Sequence, residues 1–352
     1  MVDRGSVRVA VLDGSDVRLH SLQLPPRQRG ELDVTVTLAA ICGSDLHTVH
    51  GHRAAPPLAA LGHEAVGRVA DADPGAVDLR GAALAPGDRI ALSMITSCGR
   101  CDRCRSGLSM KCRELFKYGH ASASEPPYAS GMLAELVRMM PGTPLLRIPD
   151  EVDDAVLVSA GCAVATAAAV VAAADVEPGV DVAVVGAGAV GFYCAAMLLT
   201  VGCTVTVHDP SPQRRDLVAD VGAHTDPGPP PARSTSGDGP SLVVEASGHP
   251  DAVSAALESV AIGGHVVAAG SVSPGSTSIT IDPAVLVTQR IRLTGVHNYT
   301  ADDFAHGVDW LIAHGDDLPT DRLAAPPLPL ADVTAALDRV PAGTHLRVTV
   351  RP

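Results

Sequence analysis

The chain has 352 residues, of which 46% are hydrophobic and 18% charged, and its formal net charge is −13. Its length allows two domains with separate cores, and its composition excludes an intrinsically disordered chain. The acidic net charge argues against a nucleic-acid partner, which would need a basic face.

The sequence predicts neither secretion nor a membrane span. The first residues, MVDRGSVRVAVLDG, lack the apolar core and the small-residue cleavage site of a signal peptide. The longest apolar run, from Ala163 to Ala174, has about twelve residues and suits a buried helix better than a membrane span. We therefore expect a cytoplasmic protein whose eight cysteines bind metal more readily than they form disulfides.

A first candidate metal site lies between residues 40 and 67, within a region of short alternating strands that predicts a β-rich domain. Cys42 and His63 offer a thiolate and an imidazole, and a catalytic zinc needs three such ligands and one open position. Ser44 and His47 supply a hydroxyl and a titratable imidazole nearby, as proton transfer requires. The alternative is a buried cysteine and a core histidine that bind no metal.

A second candidate site follows in the stretch SCGRCDRCRSGLSMKC. Its cysteines have the spacing C-x2-C-x2-C-x7-C and are Cys98, Cys101, Cys104 and Cys112. Four thiolates this close in sequence can form a tetrahedral structural zinc site. Redox-active thiols or an iron–sulfur cluster are the alternatives.

One further cysteine lies in an Ala/Val-rich stretch, residues 156–174, that predicts a helix. This residue, Cys162, is the candidate for the third ligand beside Cys42 and His63, because no other Cys or His is so well placed. A lone buried cysteine is otherwise an ordinary core residue.

The sequence DVAVVGAGAVG, ending at Gly191, predicts a dinucleotide site. It is a G-x-G-x-x-G motif between a predicted strand and a predicted helix. Gly186 permits a tight turn, Gly188 allows the backbone to approach a pyrophosphate, and Gly191 allows close helix–strand packing. The phosphates would lie at the helix N-terminus, where free N–H groups favour anions.

The following strand ends in Asp209, about twenty residues beyond the last glycine of the motif. A carboxylate there can bind both ribose hydroxyls of NAD and repels the 2′-phosphate of NADP. Arg214 and Arg215 could neutralise that phosphate, so NADP remains the alternative. Further strands at 242–245 and 265–269 predict a doubly wound α/β sheet, although the proline-rich stretch 226–240 obscures its third strand.

The two cysteine-containing motifs, Cys162 and the glycine-rich turn resemble, in this order, the zinc-dependent medium-chain alcohol dehydrogenase family over essentially the whole chain. The resemblance implies an α/β fold with a GroES-like β-rich catalytic domain and a Rossmann NAD-binding domain. The catalytic domain would comprise residues 1–157 and 297–352, with a structural-zinc lobe at about 94–115, and the Rossmann domain residues 158–296. Members are usually homodimers or homotetramers.

The resemblance also implies roles for individual residues. The catalytic zinc would be held by the residues that match the family's ligands, namely Cys42, His63, Cys162 and, transiently, Glu64. Asp45 would orient the ligating histidine, Ser44 would bind the substrate oxygen, and His47 would be the outer end of a proton relay through the nicotinamide ribose. The matches to nicotinamide and adenosine-ribose contacts are Thr166, Val190, Asp209 and Arg214.

Three stretches, CRELFKYGH, SAGCAVATAAAVV and LTGVHNYTADDF, resemble the alcohol dehydrogenases associated with phosphonate metabolism. This closer resemblance implies a substrate alcohol or aldehyde that carries a phosphonate, whose dianion needs hydrogen-bond donors. The local candidates are Lys117, His120, Arg53, His297 and Asn298. Each could instead form a structural hydrogen bond, and a polyol, an amino alcohol or another neutral alcohol is the alternative substrate.

The sequence thus predicts reversible, NAD-linked oxidation of an alcohol by an enzyme with one catalytic and one structural zinc. A zinc-free reductase of enones or quinones is a weaker hypothesis, because such enzymes lack Cys42, the four-cysteine lobe and Cys162. A non-catalytic nucleotide-binding relative would lack a zinc ligand or a glycine of the motif, and none is missing.

Overall fold

This computed structural model describes residues 6–270, 272, 278–340 and 345–352. The chain forms two compact units. The first comprises Met1–Cys162, Thr300–Gly315 and Thr320–Pro352, and the second comprises Ala163–Tyr299 and Asp316–Pro319.

The first unit extends to residue 162, five residues beyond the predicted boundary at 157 (162 − 157). Near this boundary, Gly161 packs closely against β6, since a Cβ there would lie 2.0 Å from the carbonyl oxygen of Leu92. The chain returns to the first unit at 300 instead of 297, and residues 316–319 group with the second unit.

In chain order the strands are β1 (Val7–Asp13), β2 (Asp16–Leu22), β3 (Leu32–Ile41), β4 (Ala59–Ala60), β5 (Glu64–Ala72), β6 (Arg89–Leu92), β7 (Ile95–Thr96), β8 (Phe116–Lys117), β9 (Leu136–Met139), β10 (Leu145–Arg147), β11 (Asp181–Val185), β12 (Thr204–His208), β13 (His224–Asp226), β14 (Leu242–Glu245), β15 (His265–Ala268), β16 (Arg292–Gly295), β17 (Leu328–Pro329) and β18 (Val348–Arg351). The α-helices are α1 (Gly43–Val49), α2 (Asp102–Arg105), α3 (Asp154–Leu157), α4 (Ala165–Ala174), α5 (Ala189–Val201), α6 (Pro212–Asp220), α7 (Pro250–Ser259), α8 (Pro283–Gln289), α9 (Ala301–His314), α10 (Thr320–Leu323) and α11 (Val333–Arg339).

The first unit is built on a sheet whose strand order is β10-β6-β5-β3-β18-β17, with β9 also paired to β3. Smaller sheets, β2-β1-β4 and β7-β8, lie in the same unit. The alternation of β3 explains its place in the core, because Val34 and Val36 are buried while Asp33 and Thr35 are partly exposed. Gly67 of β5 allows the two strands to approach, since a Cβ there would lie 2.5 Å from the carbonyl oxygen of Thr35.

The second unit contains a parallel sheet in the order β13-β12-β11-β14-β15-β16. The central strands β11 and β14 are almost wholly buried apolar runs, as expected when helices cover both faces of a sheet. The strand order reverses at β11 and β14, which places a ligand-binding switch point at their carboxyl ends. The prediction of a doubly wound α/β sheet is confirmed. Its third strand is the short, exposed β13, which ends where the proline-rich stretch begins.

The predicted helix over residues 156–174 is interrupted. It consists of α3, a π-helical turn at Ala160–Val164, and α4. The whole segment Asp154–Ala174 is longer than the predicted apolar run of about twelve residues, and by length and composition it could cross a membrane. Because 72% of its most apolar window is buried inside the fold, it reads as a core helix.

Candidate active site and metal centres

Two groups of metal-binding side chains come together in the described part of the chain. The ligand atoms of each group lie within 4.8 Å of one another. The groups are Cys42, His63, Glu64 and Cys162, and Cys98, Cys101, Cys104 and Cys112. Thiolates and imidazole are the donors that Zn²⁺ prefers, so both sets fit that ion.

Short structural elements bring the residues of the first group together. Cys42 follows β3 and is the N-cap of α1. His63 follows Gly62, whose φ is 87°, and a Cβ on that glycine would lie 2.4 Å from the backbone nitrogen of Leu133. Only glycine therefore fits this turn. Cys162 lies in the π-helical turn, a feature that often marks functional sites.

Asp45 and Ser44 contact the two nitrogens of His63. The buried Asp45 accepts hydrogen bonds from the backbone N–H groups of Cys42 (2.9 Å) and Gly62 (3.2 Å). Its Oδ1 lies 3.3 Å from His63 Nδ1, an ion-pair distance, although the geometry is not that of a hydrogen bond. Ser44 Oγ lies 3.1 Å from His63 Nε2. Nε2 is therefore the nitrogen on the side of the serine hydroxyl.

The two thiols of the first group have opposite pKa shifts. A hydrogen bond from the Cys162 thiol, helped by the charges of Arg347 and His63, holds the pKa of Cys42 well below its usual value. The same hydrogen bond, together with burial, raises the pKa of Cys162 well above its usual value. A thiolate beside a second thiol is a donor pair that a divalent cation binds with release of the remaining proton.

Glu64 is held by two residues that the sequence analysis did not identify. Arg347 donates from Nε to Oε2 (2.6 Å) and from Nη2 to Oε1 (2.7 Å), and the Ser159 hydroxyl donates to Oε2 (3.0 Å). Both Glu64 oxygens are thus engaged by other side chains. No local signal could have revealed this pair, because 283 positions separate its partners.

In the second group, the four sulfur atoms lie close together. Cys101 Sγ lies 3.5 Å from Cys104 Sγ, and Cys98 Sγ lies 3.4 Å from Cys112 Sγ. The backbone N–H groups of Cys98 and Glu114 donate to Cys112 Sγ, each at 3.3 Å, and they lower the pKa of that thiol. Backbone donors to a ligating sulfur are the usual support of a structural metal site.

Two basic side chains, Arg53 and His120, lie beside His63 of the first group, and the charge of a third, Lys117, acts on His120. Arg53 Nη1 lies 3.4 Å from His120 Nε2, and His120 stacks on His63 with ring centroids 5.2 Å apart. Burial, followed by the charges of Lys111 and Arg53, lowers the pKa of Lys117. Burial, followed by the charge of His63, lowers the pKa of His120 to about 3. Arg53 and Lys117 are both half-buried.

The glycine-rich turn of the second unit fits a dinucleotide. Gly186 has a φ of 98°, and a Cβ on Gly191 would lie 1.8 Å from the Gly186 carbonyl oxygen. No heavy atom would lie within 4 Å of a Cβ on Gly188, so the backbone is open to a ligand there. Gly188 is also the N-cap of the 13-residue helix α5. The turn thus offers backbone donors to a pyrophosphate.

Asp209 has a structural contact as well as its predicted cofactor contact. The N–H of Ala187, inside the glycine-rich turn, donates to its Oδ2 (2.7 Å), and the N–H of Ser211 donates to its Oδ1 (2.8 Å). Arg215 donates to the Asp209 backbone carbonyl (2.7 Å), whereas the exposed Arg214 lies 3.9 Å from Oδ2. The carboxylate therefore links the glycine-rich turn to the end of β12.

The remaining predicted site residues lie in the second unit or at the surface. Thr166 is half-buried in α4, and Val190 is half-buried in the first turn of α5. His297 and Asn298 follow β16, and Asn298 has a φ of 59° and a buried Nδ2 without a hydrogen-bond partner in the described part of the chain. His47 is exposed on α1. Three of the five predicted substrate-binding residues, Arg53, Lys117 and His120, therefore lie in the first unit.

The chain is similar to known dehydrogenases. The family described as "Alcohol dehydrogenase GroES-like domain" matches residues 28–150, and the family described as "Zinc-binding dehydrogenase" matches residues 189–313. A probable zinc-binding alcohol dehydrogenase of Mycobacterium tuberculosis is 32% identical over 276 residues, 75% of this chain and 68% of that protein. Sorbitol dehydrogenase of Bacillus subtilis is 26% identical over 321 residues, 87% of this chain and 86% of that protein. The solved structure of an alcohol dehydrogenase from Thermotoga maritima superposes with a TM-score of 0.91 at 26% identity and covers 99% of both chains.

Proposed function

Because this chain belongs to the zinc-binding alcohol dehydrogenase family, we propose that it transfers a hydride between an anionic alcohol and NAD, giving an aldehyde or ketone. The observation that carries the proposal is the cluster of Cys42, His63 and Cys162 with the Ser44 hydroxyl 3.1 Å from His63 Nε2. Two thiols and an imidazole beside a hydroxyl are the parts that alcohol oxidation at a zinc ion needs.

In the proposed mechanism, Cys42, His63 and Cys162 hold the catalytic zinc. When bound there, the zinc would lower the pKa of an alcohol oxygen, and the hydride would pass to the nicotinamide of NAD. Asp45 fixes the imidazole through its contacts to Gly62 and His63. Ser44 would accept the proton of the substrate hydroxyl while it releases its own proton, and the exposed His47 would be the outer group from which that proton leaves to solvent.

The two half-buried cations support an anionic substrate. Arg53 Nη1 lies 3.4 Å from His120, which stacks on His63, so the charge of Arg53 is close to the proposed metal site. The charge of Lys117, on the short strand β8, also contributes to the lowered pKa of His120. Their charge is costly to bury without a partner. A phosphonate or similar dianion on the substrate would supply that partner with charge-assisted hydrogen bonds. A neutral polyol is the second candidate, supported by the similarity to sorbitol dehydrogenase.

Replacing Lys117 with Met is expected to lower kcat/KM for 2-hydroxyethylphosphonate by about 10–100-fold, because a charged hydrogen bond contributes about 1.5–3 kcal/mol. Activity with a neutral alcohol of similar size should not change. NADH formation at 340 nm on zinc-loaded enzyme measures both. The control is Arg29→Met, which removes an exposed cation of the first unit that belongs to neither metal-binding group. A wild-type preference for neutral alcohols or polyols would contradict the anionic substrate and leave the dehydrogenase proposal intact.

We also propose NAD as the preferred cofactor, on the strength of Asp209. Asp209→Ser removes an acceptor for the ribose hydroxyls, and we expect the ratio of kcat/KM for NAD to that for NADP to fall about 10–100-fold. The exposed Asp216→Ser on α6 is a control with the same charge change. An unchanged ratio in Asp209→Ser would assign the preference to other residues.

Finally, we propose two zinc ions per subunit and a homodimer or homotetramer. The strand β16 lies at the edge of its sheet and carries the exposed Leu293, and the preceding helix α8 carries the exposed Val287. An open apolar edge strand is a natural pairing surface for a second copy of the chain. Light scattering that gave a monomer would contradict the oligomer, and elemental analysis tests the zinc content.

A further inference from the structure

A buried carboxylate at the ligand-binding edge of the parallel sheet holds the turn that follows β14. Glu245 is 0% exposed. Its Oε1 accepts hydrogen bonds from the N–H of Ser247 (2.8 Å), the hydroxyl of Ser247 (2.7 Å) and the N–H of Gly248 (2.7 Å). Its Oε2 is buried without a hydrogen-bond partner among the residues that the structure describes. One oxygen of Glu245 thus accepts all three of these hydrogen bonds from residues 247 and 248.

At this edge of the sheet, the turn packs between the glycine-rich turn and residue 270. A Cβ on Gly186 would lie 2.9 Å from Ser247 Cβ, and a Cβ on Gly270 would lie 2.2 Å from the backbone nitrogen of Gly248. The N–H of Ala246 donates to the carbonyl of Val185, the last residue of β11 (2.8 Å). If residues 246–248 were displaced, they would therefore clash with the glycine-rich turn or with residue 270.

The strand order indicates which half of a dinucleotide would lie over this turn. Asp209 directly follows β12 and marks the adenosine side, and Gly186 directly follows β11 and marks the pyrophosphate. The next strand on the far side of β11 is β14, so the turn after β14 lies on the nicotinamide side. Ser247 is exposed at this edge.

We propose that Glu245 is a positioning residue for the nicotinamide half of the cofactor. One of its oxygens accepts the hydrogen bonds of Ser247 and Gly248, and it thereby holds the turn in one conformation that can bind the nicotinamide ribose. The cofactor then gains affinity because the turn is already ordered before binding. This inference rests on the proposed use of NAD.

The test is calorimetric titration of the zinc-loaded, full-length protein with NADH and with ADP-ribose, which lacks the nicotinamide. We expect Glu245→Ala to raise the Kd for NADH about tenfold, because the turn would then have to be ordered when the cofactor binds. The Kd for ADP-ribose should stay the same. Glu245→Gln keeps an acceptor oxygen and should restore most of the affinity for NADH. The control is Glu258→Ala, which removes an exposed carboxylate from α7.

Glu245→Asp keeps the buried charge but draws the acceptor back by one carbon, so it tests the same idea if Glu245→Ala fails to fold. It too should weaken NADH and spare ADP-ribose. Equal losses for both ligands, or unchanged affinities with a lower Tm, would reduce Glu245 to a structural role and overturn the proposal. A wild-type protein that bound ADP-ribose and NADH equally well would overturn it too. A wild-type protein that bound neither ligand would refute the use of NAD, and with it this inference.

Discussion

Replacement of Cys42 by Ala is expected to remove one of the two proposed zinc ions and to lower turnover at least about a thousandfold. The loss follows because activation of the alcohol by the metal is worth several kcal/mol, and each 1.36 kcal/mol is about a tenfold change in rate. Elemental analysis and the rate of NADH formation measure the two effects on the same sample.

Two further variants separate metal binding from proton transfer. Ser44→Ala should keep both zinc ions and still lose most of its turnover, because only the hydroxyl beside His63 Nε2 is removed. Cys194→Ala removes a fully buried thiol of α5 that belongs to neither metal-binding group, and it should keep both zinc ions and its activity. A Cys42→Ala variant with full zinc and full turnover would contradict the proposed site.

Replacement of Arg347 by Met is expected to destabilise the protein by about 3–5 kcal/mol, the usual cost of leaving one partner of a buried ion pair alone. Both oxygens of Glu64 accept hydrogen bonds from Arg347, and Glu64 is completely buried. Without the guanidinium, the Ser159 hydroxyl at 3.0 Å is the one side-chain donor to this carboxylate among the residues that the structure describes. The free energy of unfolding in urea, measured at the same zinc occupancy for each variant, gives this cost.

The matched control is Arg80→Met, which breaks an exposed pair with Asp309 in the same unit. Exposed pairs contribute about 0–1 kcal/mol, so this variant should lose little. A double variant, Glu64→Gln with Arg347→Met, should recover part of the lost stability, because the unpaired charge is gone. An equal loss of unfolding free energy in Arg347→Met and Arg80→Met would contradict the larger contribution that we expect from the buried pair.

Features that depend on neighbouring residues could be predicted from the sequence. The four-cysteine lobe needs four thiols in a short stretch, and its spacing alone brings them within reach of one ion. The glycine-rich turn likewise predicts its own strand and helix, which β11 and α5 confirm. The doubly wound sheet followed from the same alternation of strands and helices.

Features that depend on strand register could not be predicted. The antiparallel pairing of β18 with β3 places Val348 opposite Ile41, and it thereby brings Arg347 to the end of β3, next to Cys42 and Glu64. Register follows from packing across the whole sheet, which no local pattern of residues encodes. The π-helical turn around Cys162 likewise appears only where the helix meets β6 at Gly161.

The sequence by itself therefore determined which chemical groups this protein carries, because metal-binding and phosphate-binding motifs consist of residues close together in the chain. Only the tertiary structure decided which side chains support those groups. Arg347 behind Glu64, Arg53 beside His120 and Glu245 beneath the turn at Ser247 were identified from their contacts. The first two pairs are joined by the fold over 283 and 67 positions. The third is local, but the value of its buried hydrogen bonds depends on the surrounding sheet.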